Sequence, residues 1–237
     1  MTHETRDKVA GILGGMGPEA TVDLMARIIK NTPAQDDIDH VHCLIDNNPK
    51  VPSRIKALIE GTGENPGPAM ADMARKLEAA GADFLCIACN TAHNYYRDVA
   101  GAVRIPVLNM IELAVDAALG VEPSATGIGI LASPAVRTTK LYENVLAPRG
   151  IAAVYPDHEA EEALLDVIKR VKRGDTGAAA RQKLAEVVKN LQAKGVHTAI
   201  AACTELGVIM AGQSYGLLIV DASEALAKAV VKEARES

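Results

Sequence analysis

Short apolar runs alternate along the chain with longer stretches whose apolar positions recur every three or four residues. The short runs lie at 9–13, 41–45, 84–89, 107–108, 127–132, 152–155, 198–203 and 217–220. They are brief and almost uniformly apolar, which predicts strands buried on both faces. The longer amphipathic stretches, among them 18–30, 69–80, 161–172, 181–194 and 223–234, predict helices. Strand and helix in alternation predict an α/β fold of doubly wound parallel sheets covered by helices on both sides.

The pattern also repeats. Ile12 stands in an Ala-Gly-Ile-Leu run and Ile130 in a Gly-Ile-Gly-Ile-Leu run. The run ending in Cys89 resembles the run ending in Cys203. Ile105-Pro106-Val107-Leu108-Asn109 resembles Leu217-Leu218-Ile219-Val220-Asp221. The offset between these pairs is nearly constant, so the chain reads as two pseudo-symmetric copies of one α/β unit. Gly120-Val121-Glu122-Pro123-Ser124 breaks the pattern between them. The expected division is therefore 1–120, with the last helix at 223–237 packing back, and 121–222. Open α/β sheets bind ligands beyond the carboxyl ends of their strands. Two such units facing each other would bring Cys89 and Cys203 into one inter-domain cleft.

Length and composition narrow the class. At 237 residues, 49% hydrophobic and 23% charged, the chain can bury a sizeable core and is globular. A net charge of −5 gives no electrostatic footprint for nucleic acid, and 3% aromatic residues with no Trp argue against stacking platforms. Neither a signal peptide nor a membrane span is legible. Four cysteines, mostly inside apolar runs, fit a reducing cytoplasm.

Each motif admits a plain alternative. Gly14-Gly15-Met16-Gly17-Pro18-Glu19-Ala20 formally contains a dinucleotide fingerprint, with Asp46 downstream. No complete fingerprint recurs in the repeat, so a tight glycine turn before a helix opened by Pro18 is the better reading. Cys86 and Cys89 are three apart on a strand and point to opposite faces, which argues against a redox or zinc pair. Cys43 and Cys86 read as small core residues. His40 and His42 lack a third ligand and read as structural or exposed. The loop from Asn47 to Arg54 carries two prolines, and Arg54 there is either a two-pronged carboxylate ligand or a solvated arginine. Cys89 and Cys203 each end a buried strand next to a helix start, where a thiolate is stabilised. Two such thiols suit one acid and one base acting on opposite faces of a carbon.

Taken together these stretches resemble the cofactor-independent aspartate/glutamate racemase family, over nearly the whole chain. The strongest parts are Gly14 to Thr21, the Asn47 to Arg54 loop, Cys89-Asn90-Thr91-Ala92-His93 and Cys203-Thr204-Glu205-Leu206. The Gly-Gly-Met-Gly-Pro turn resembles the aspartate racemase branch; the glutamate branch has an aspartate-serine pair there. The resemblance implies that Cys89 and Cys203 are catalytic, with Met16, Asn47, Arg54, Asn90, Thr91, Ser133, Lys172, Thr204 and Glu205 around the substrate. Asn90, Thr91 and Thr204 would hold the α-carboxylate or the developing carbanion, Arg54 the side-chain carboxylate, and Lys172 would assist. It implies racemisation of aspartate or glutamate with neither pyridoxal cofactor nor metal, and a homodimer as the assembly. One departure stands out. The family's Thr-x-x-Thr after the fifth strand reads Ser133-Pro134-Ala135-Val136 here, and Val136 has no hydroxyl. Two other readings stand beside racemisation of an acidic amino acid. One is a related two-cysteine enzyme: a hydantoin or broad-specificity amino-acid racemase, or a decarboxylase. The other is a non-catalytic ligand-binding protein.

Overall fold

The computed structural model describes residues 7–210 and 212–236. The chain divides into two compact units, Met1–Met110 with Ser223–Ser237, and Ile111–Ala222.

In the first unit β1 (Ala10–Gly14), β2 (Cys43–Asn47), β3 (Phe84–Ile87) and β4 (Val107–Leu108) form a parallel sheet in the order β2-β1-β3-β4. Its helices are α1 (Pro18–Asn31), α2 (Gly67–Ala79) and α3 (Tyr96–Ala100); α4 (Met110–Val121) starts at the last residue of this unit's first segment. β1 and β3 are wholly buried, as their continuous apolar sequence requires. The core on one face joins Leu13, Met70, Met73, Leu77, Leu85, Ile87 and Val99. Pro18 opens α1 where a missing N–H costs nothing, with Glu19 in the first turn and Lys30 in the last, each complementing the helix dipole.

In the second unit α5 (Pro134–Thr138), α6 (Glu143–Leu146), α7 (His158–Val171), α8 (Ala178–Ala193) and α9 (Thr204–Met210) accompany β5 (Gly127–Ala132), β6 (Ala152–Val154), β7 (Thr198–Ala202) and β8 (Leu218–Asp221). These strands are parallel in the order β6-β5-β7-β8, the same winding as in the first unit. Leu164, Val167, Leu184, Val188 and Leu191 of α7 and α8 pack on Leu131, Ala199 and Ala201. Asp157 caps α7 by accepting from the Ala160 N–H (3.1 Å).

The last helix, α10 (Ala222–Arg235), returns to the first unit. Glu224 meets Arg27 (3.2 Å) and Asn31 (3.0 Å) of α1, and Glu233 meets Lys8 (2.8 Å).

Several boundaries differ from the sequence expectation. β2 lies two residues later than expected and so includes Asn47. β3 stops at Ile87 and β7 at Ala202, so both Cys89 and Cys203 lie just past their strands. Arg54 is not in the loop. Ser53 accepts from the Lys56 N–H (3.3 Å), and its carbonyl accepts from Ala57 (3.0 Å), so Arg54 opens a helical turn as soon as the chain is past Pro52.

Candidate active site

In each sheet the strand order reverses between the two central strands, and the carboxyl edge at that reversal is where doubly wound folds take ligands. In the first unit this edge lies between the ends of β1 and β3. The turn after β1 is shaped for close approach. Gly15 has φ +85°, and a Cβ there would collide with the Asn48 backbone. Its N–H donates to Thr21 Oγ1 (2.9 Å), which ties the turn to the start of α1. The β2 loop thus lies against the glycine turn. Met16 is buried, and its carbonyl accepts from Arg54 Nη2 (2.7 Å). Arg54 Nη1 donates to the carbonyls of Pro52 (3.1 Å) and Val51 (3.4 Å). The guanidinium is therefore clamped by backbone rather than loosely solvated, with donors left over for a carboxylate.

Just past the end of the neighbouring strand, β3, Cys89 is half-buried and Asn90 buried, and Thr91 begins a 3-10 turn, Thr91–Tyr95. Burial raises the Tyr95 phenol, and the Arg54 cation opposes that rise, so Arg54 bears on the segment following Cys89. The sequence left His93 without a task; the structure gives it one. Its Nδ1 lies 2.8 Å from the Cys89 carbonyl, and its Nε2 accepts from the Met110 N–H at the start of α4 (3.0 Å). Those partners require the neutral tautomer with the proton on Nδ1. Burial holds the imidazole down to about 4 rather than 6.5, against the opposing pull of hydrogen bonds at Cys89 and Asn90.

A stability prediction follows from that lowered value. The unfolded chain protonates His93 below about 6.5, while the folded chain resists until about 4. The stability due to the neutral imidazole is complete above pH 6.5 and is lost as the pH falls toward 4, by about 3 kcal/mol in all. His93→Gln keeps a donor and an acceptor but does not titrate. Urea midpoints measured across that range should fall less in the variant than in the native protein. Parallel declines would contradict the burial argument.

In the second unit the switch edge lies between β5 and β7. Ala132 pairs with Ala202, so Ser133 and Cys203 leave neighbouring strands side by side. Ser133 is the N-cap of α5. Cys203 Sγ donates to Glu205 Oε2 (2.9 Å), and Lys172 Nζ, at the end of α7, lies 3.5 Å from Glu205 Oε1. Thr204 opens α9. Lys172, Glu205 and Cys203 thus form one continuous chain of contacts. Val136 is fully buried. The nearby Thr139 hydroxyl turns back onto the Ala135 carbonyl (2.8 Å).

Two further residues went unread in the sequence. Tyr142 is fully buried, and its phenol is pushed up by burial first, then by Asp221 and Cys203. Asp221 ends β8, where its match with Asn109 in the repeat was a usable signal. Tyr142 stands in a stretch with no periodicity and offered none. Cys43 begins β2 and Cys86 lies within β3, both short of the carboxyl edge; burial pushes Cys43 up to about 11 and raises Cys86 further still. All four cysteines are free thiols. Among the described residues, no group of three or more His, Cys, Asp or Glu is placed to hold a metal ion, and no helix is long and apolar enough to cross a membrane.

Residues 13–230 match the family model described as Asp/Glu/Hydantoin racemase. The broad specificity amino-acid racemase RacX of Bacillus subtilis (strain 168) is 30% identical over 227 residues, covering 93% of this chain and 96% of that protein. The structure of Picrophilus torridus aspartate racemase superposes with a TM-score of 0.83 at 33% identity, covering 96% of this chain and 94% of that one. A putative Asp/Glu racemase from Yersinia pestis shares the fold, with a TM-score of 0.82 at 23% identity over 97% of this chain and 100% of that one.

Proposed function

The chain belongs to the Asp/Glu/hydantoin racemase family and is an amino-acid racemase, and on that premise we propose that it racemises an acidic amino acid, aspartate foremost, through Cys89 and Cys203. One observation carries the reading: two sheets of identical strand order each present a free cysteine just past the second central strand, at the topological switch point.

The α-hydrogen of an amino acid is weakly acidic, so the site must stabilise carbanion character with oriented donors in a water-poor space. The reading requires the two carboxyl edges to face one substrate, with a thiol on each side of the α-carbon. One sulfur, as thiolate, removes the α-hydrogen. The other, as thiol, delivers a proton to the opposite face, and the reverse reaction exchanges their roles. Asn90, Thr91 and Thr204 stand beside the two cysteines in sequence and supply amide and hydroxyl groups for the α-carboxylate. Arg54 takes the side-chain carboxylate, supported by its clamp to the Met16 carbonyl, which fixes the fork before substrate arrives. Asn47 and Met16 shape the same edge, and Ser133 the edge of the second unit. The Lys172 ammonium faces Glu205 and sets the charge beside Cys203. Free thiols throughout suit a reducing cytoplasm, and a homodimer is the assembly we expect.

The relative in Bacillus subtilis favours a second reading, broader amino-acid specificity. Chiral chromatography of a panel of L-amino acids, incubated with the protein and no added cofactor, separates the two. The proposal expects aspartate to be converted fastest, with neutral amino acids at least tenfold slower. Equal rates for neutral and acidic substrates would replace it with the broad-specificity reading.

A further inference from the structure

The common strand order lets positions in the two units be matched through their registers. In the second unit Ala201 pairs with Asp221. Ala199, Ala201, Cys203 and Ile219 pack against one core, and alternation along β8 puts Asp221 on that same face, on the strand beside Cys203. In the first unit the last pair is Cys86 with Leu108, so the next residues, Ile87 and Asn109, stand opposite each other. Ile87, Cys89 and Val107 share a core, which makes Asn109 the counterpart of Asp221. Counted from the cysteines, the counterpart of Glu205 is Thr91. Both carboxylates of the second unit are replaced by neutral groups in the first.

The local contacts agree with that asymmetry. Within its unit, Cys203 meets Glu205, with Lys172 beyond it, and Cys203 and Asp221 both act on the buried Tyr142 phenol. Cys203 Sγ lies 2.9 Å from Glu205 Oε2, so with Glu205 ionised the shared proton belongs to the sulfur. Lys172 offsets part of the Glu205 charge from a distance of 3.5 Å, but its side chain is 55% exposed and therefore screened. The Tyr142 phenol is buried and stays neutral. These neighbours bring two carboxylates, a neutral phenol and one exposed ammonium to the Cys203 side. Around the Cys89 segment stand His93, held neutral, the phenols of Tyr95 and Tyr96, the Arg54 cation, and Asp98 beyond Tyr95.

We propose that the resting protein keeps its transferable proton on Cys203, held there by Asp221 together with Glu205, so that Cys89 is the base already poised for the enantiomer whose α-hydrogen faces it. This rests on the reading of the two thiols as an acid–base pair. In the first half-cycle the Cys89 thiolate takes the α-hydrogen as a proton, and the Cys203 S–H gives its proton to the opposite face of the carbanion. The protein is left with Cys89 protonated and Cys203 as thiolate. Exchange with solvent restores the starting state, and the two carboxylates favour that return by destabilising the Cys203 thiolate. Asp221 acts through Cys203 and is a positioning residue.

The test is the pH dependence of iodoacetamide alkylation in the free protein, followed separately at Cys89 and Cys203 by peptide mass spectrometry. The midpoint of such a profile reports thiolate formation and does not depend on how accessible each sulfur is. Asp221→Asn should lower the Cys203 midpoint by at least one pH unit, a tenfold faster alkylation below it, and leave the Cys89 midpoint in place. The reciprocal Asn109→Asp should raise the Cys89 midpoint by a similar amount, and it carries the test alone if Asp221→Asn does not fold. An unmoved Cys203 midpoint in a folded Asp221→Asn protein would overturn the proposal. So would a native Cys203 midpoint at or below that of Cys89, or an unmoved Cys89 midpoint in Asn109→Asp. Alkylation needs no turnover. Absence of racemisation with these shifts intact would count against the function alone, and racemisation without the shifts against the protonation order alone.

Discussion

Cys89→Ala and Cys203→Ala should each reduce racemisation by about 10²–10⁴-fold in both directions, while the fold survives. Each sulfur is the only proton donor or acceptor that the reading places on its face of the substrate, so neither can stand in for the other. The structural cost is small by comparison. Both side chains are half-buried beyond the ends of their strands, and the change to alanine removes one atom from the edge of each core. Cys203→Ala also frees Glu205 from its thiol donor, but Lys172 remains beside that carboxylate. Circular dichroism and thermal unfolding should be close to native in both variants. Near-normal turnover in either would sink the two-thiol reading.

Arg54→Lys should lower kcat/KM for aspartate by roughly tenfold to hundredfold, the scale of a charge-assisted contact of about 1.5–3 kcal/mol. Lysine keeps the charge but loses the planar fork, and with it the backbone clamp at Met16, Pro52 and Val51. Because that clamp also shapes the glycine turn, the loss must be separated into recognition and architecture. A neutral amino acid turned over by the native protein supplies the comparison. A role in gripping the side-chain carboxylate predicts a much larger loss for aspartate than for the neutral substrate. Equal losses would reduce Arg54 to a support for the turn, and an unchanged kcat/KM for aspartate would remove it from the site.

The eight strands were legible because each contains a short apolar run, a signal that needs no tertiary information; the expected burial on both faces holds for the central β1, β3, β5 and β7, whereas the edge strands β2, β4, β6 and β8 are only partly covered. The long helices were legible through periodicity. The short helices α3, α5 and α6, with 5, 5 and 4 residues, were not, since one turn cannot display a period. Arg54 was misplaced because Pro49 and Pro52 dominate the local signal, while the Ser53 cap that ends the loop spans only a few residues. Val136 illustrates a different limit. The missing hydroxyl was visible, but only the structure shows the side chain turned into the core. His93 and Tyr142 act through partners distant in sequence, Met110 and Asp221 among them, and composition and spacing carry no record of those contacts; Asp221 itself was marked only by its match with Asn109 in the repeat.

The central claim, two sulfurs acting on opposite faces of one carbon, is tested most directly by racemising protiated L-aspartate in deuterium oxide and stopping the reaction early. With two bases, the hydrogen removed and the hydrogen delivered come from different groups. The account predicts that the D-aspartate formed carries one solvent deuterium at its α-carbon, while the remaining L-aspartate carries almost none. Deuterium appearing equally in both enantiomers from the start, as a single base serving both faces would give, would contradict it.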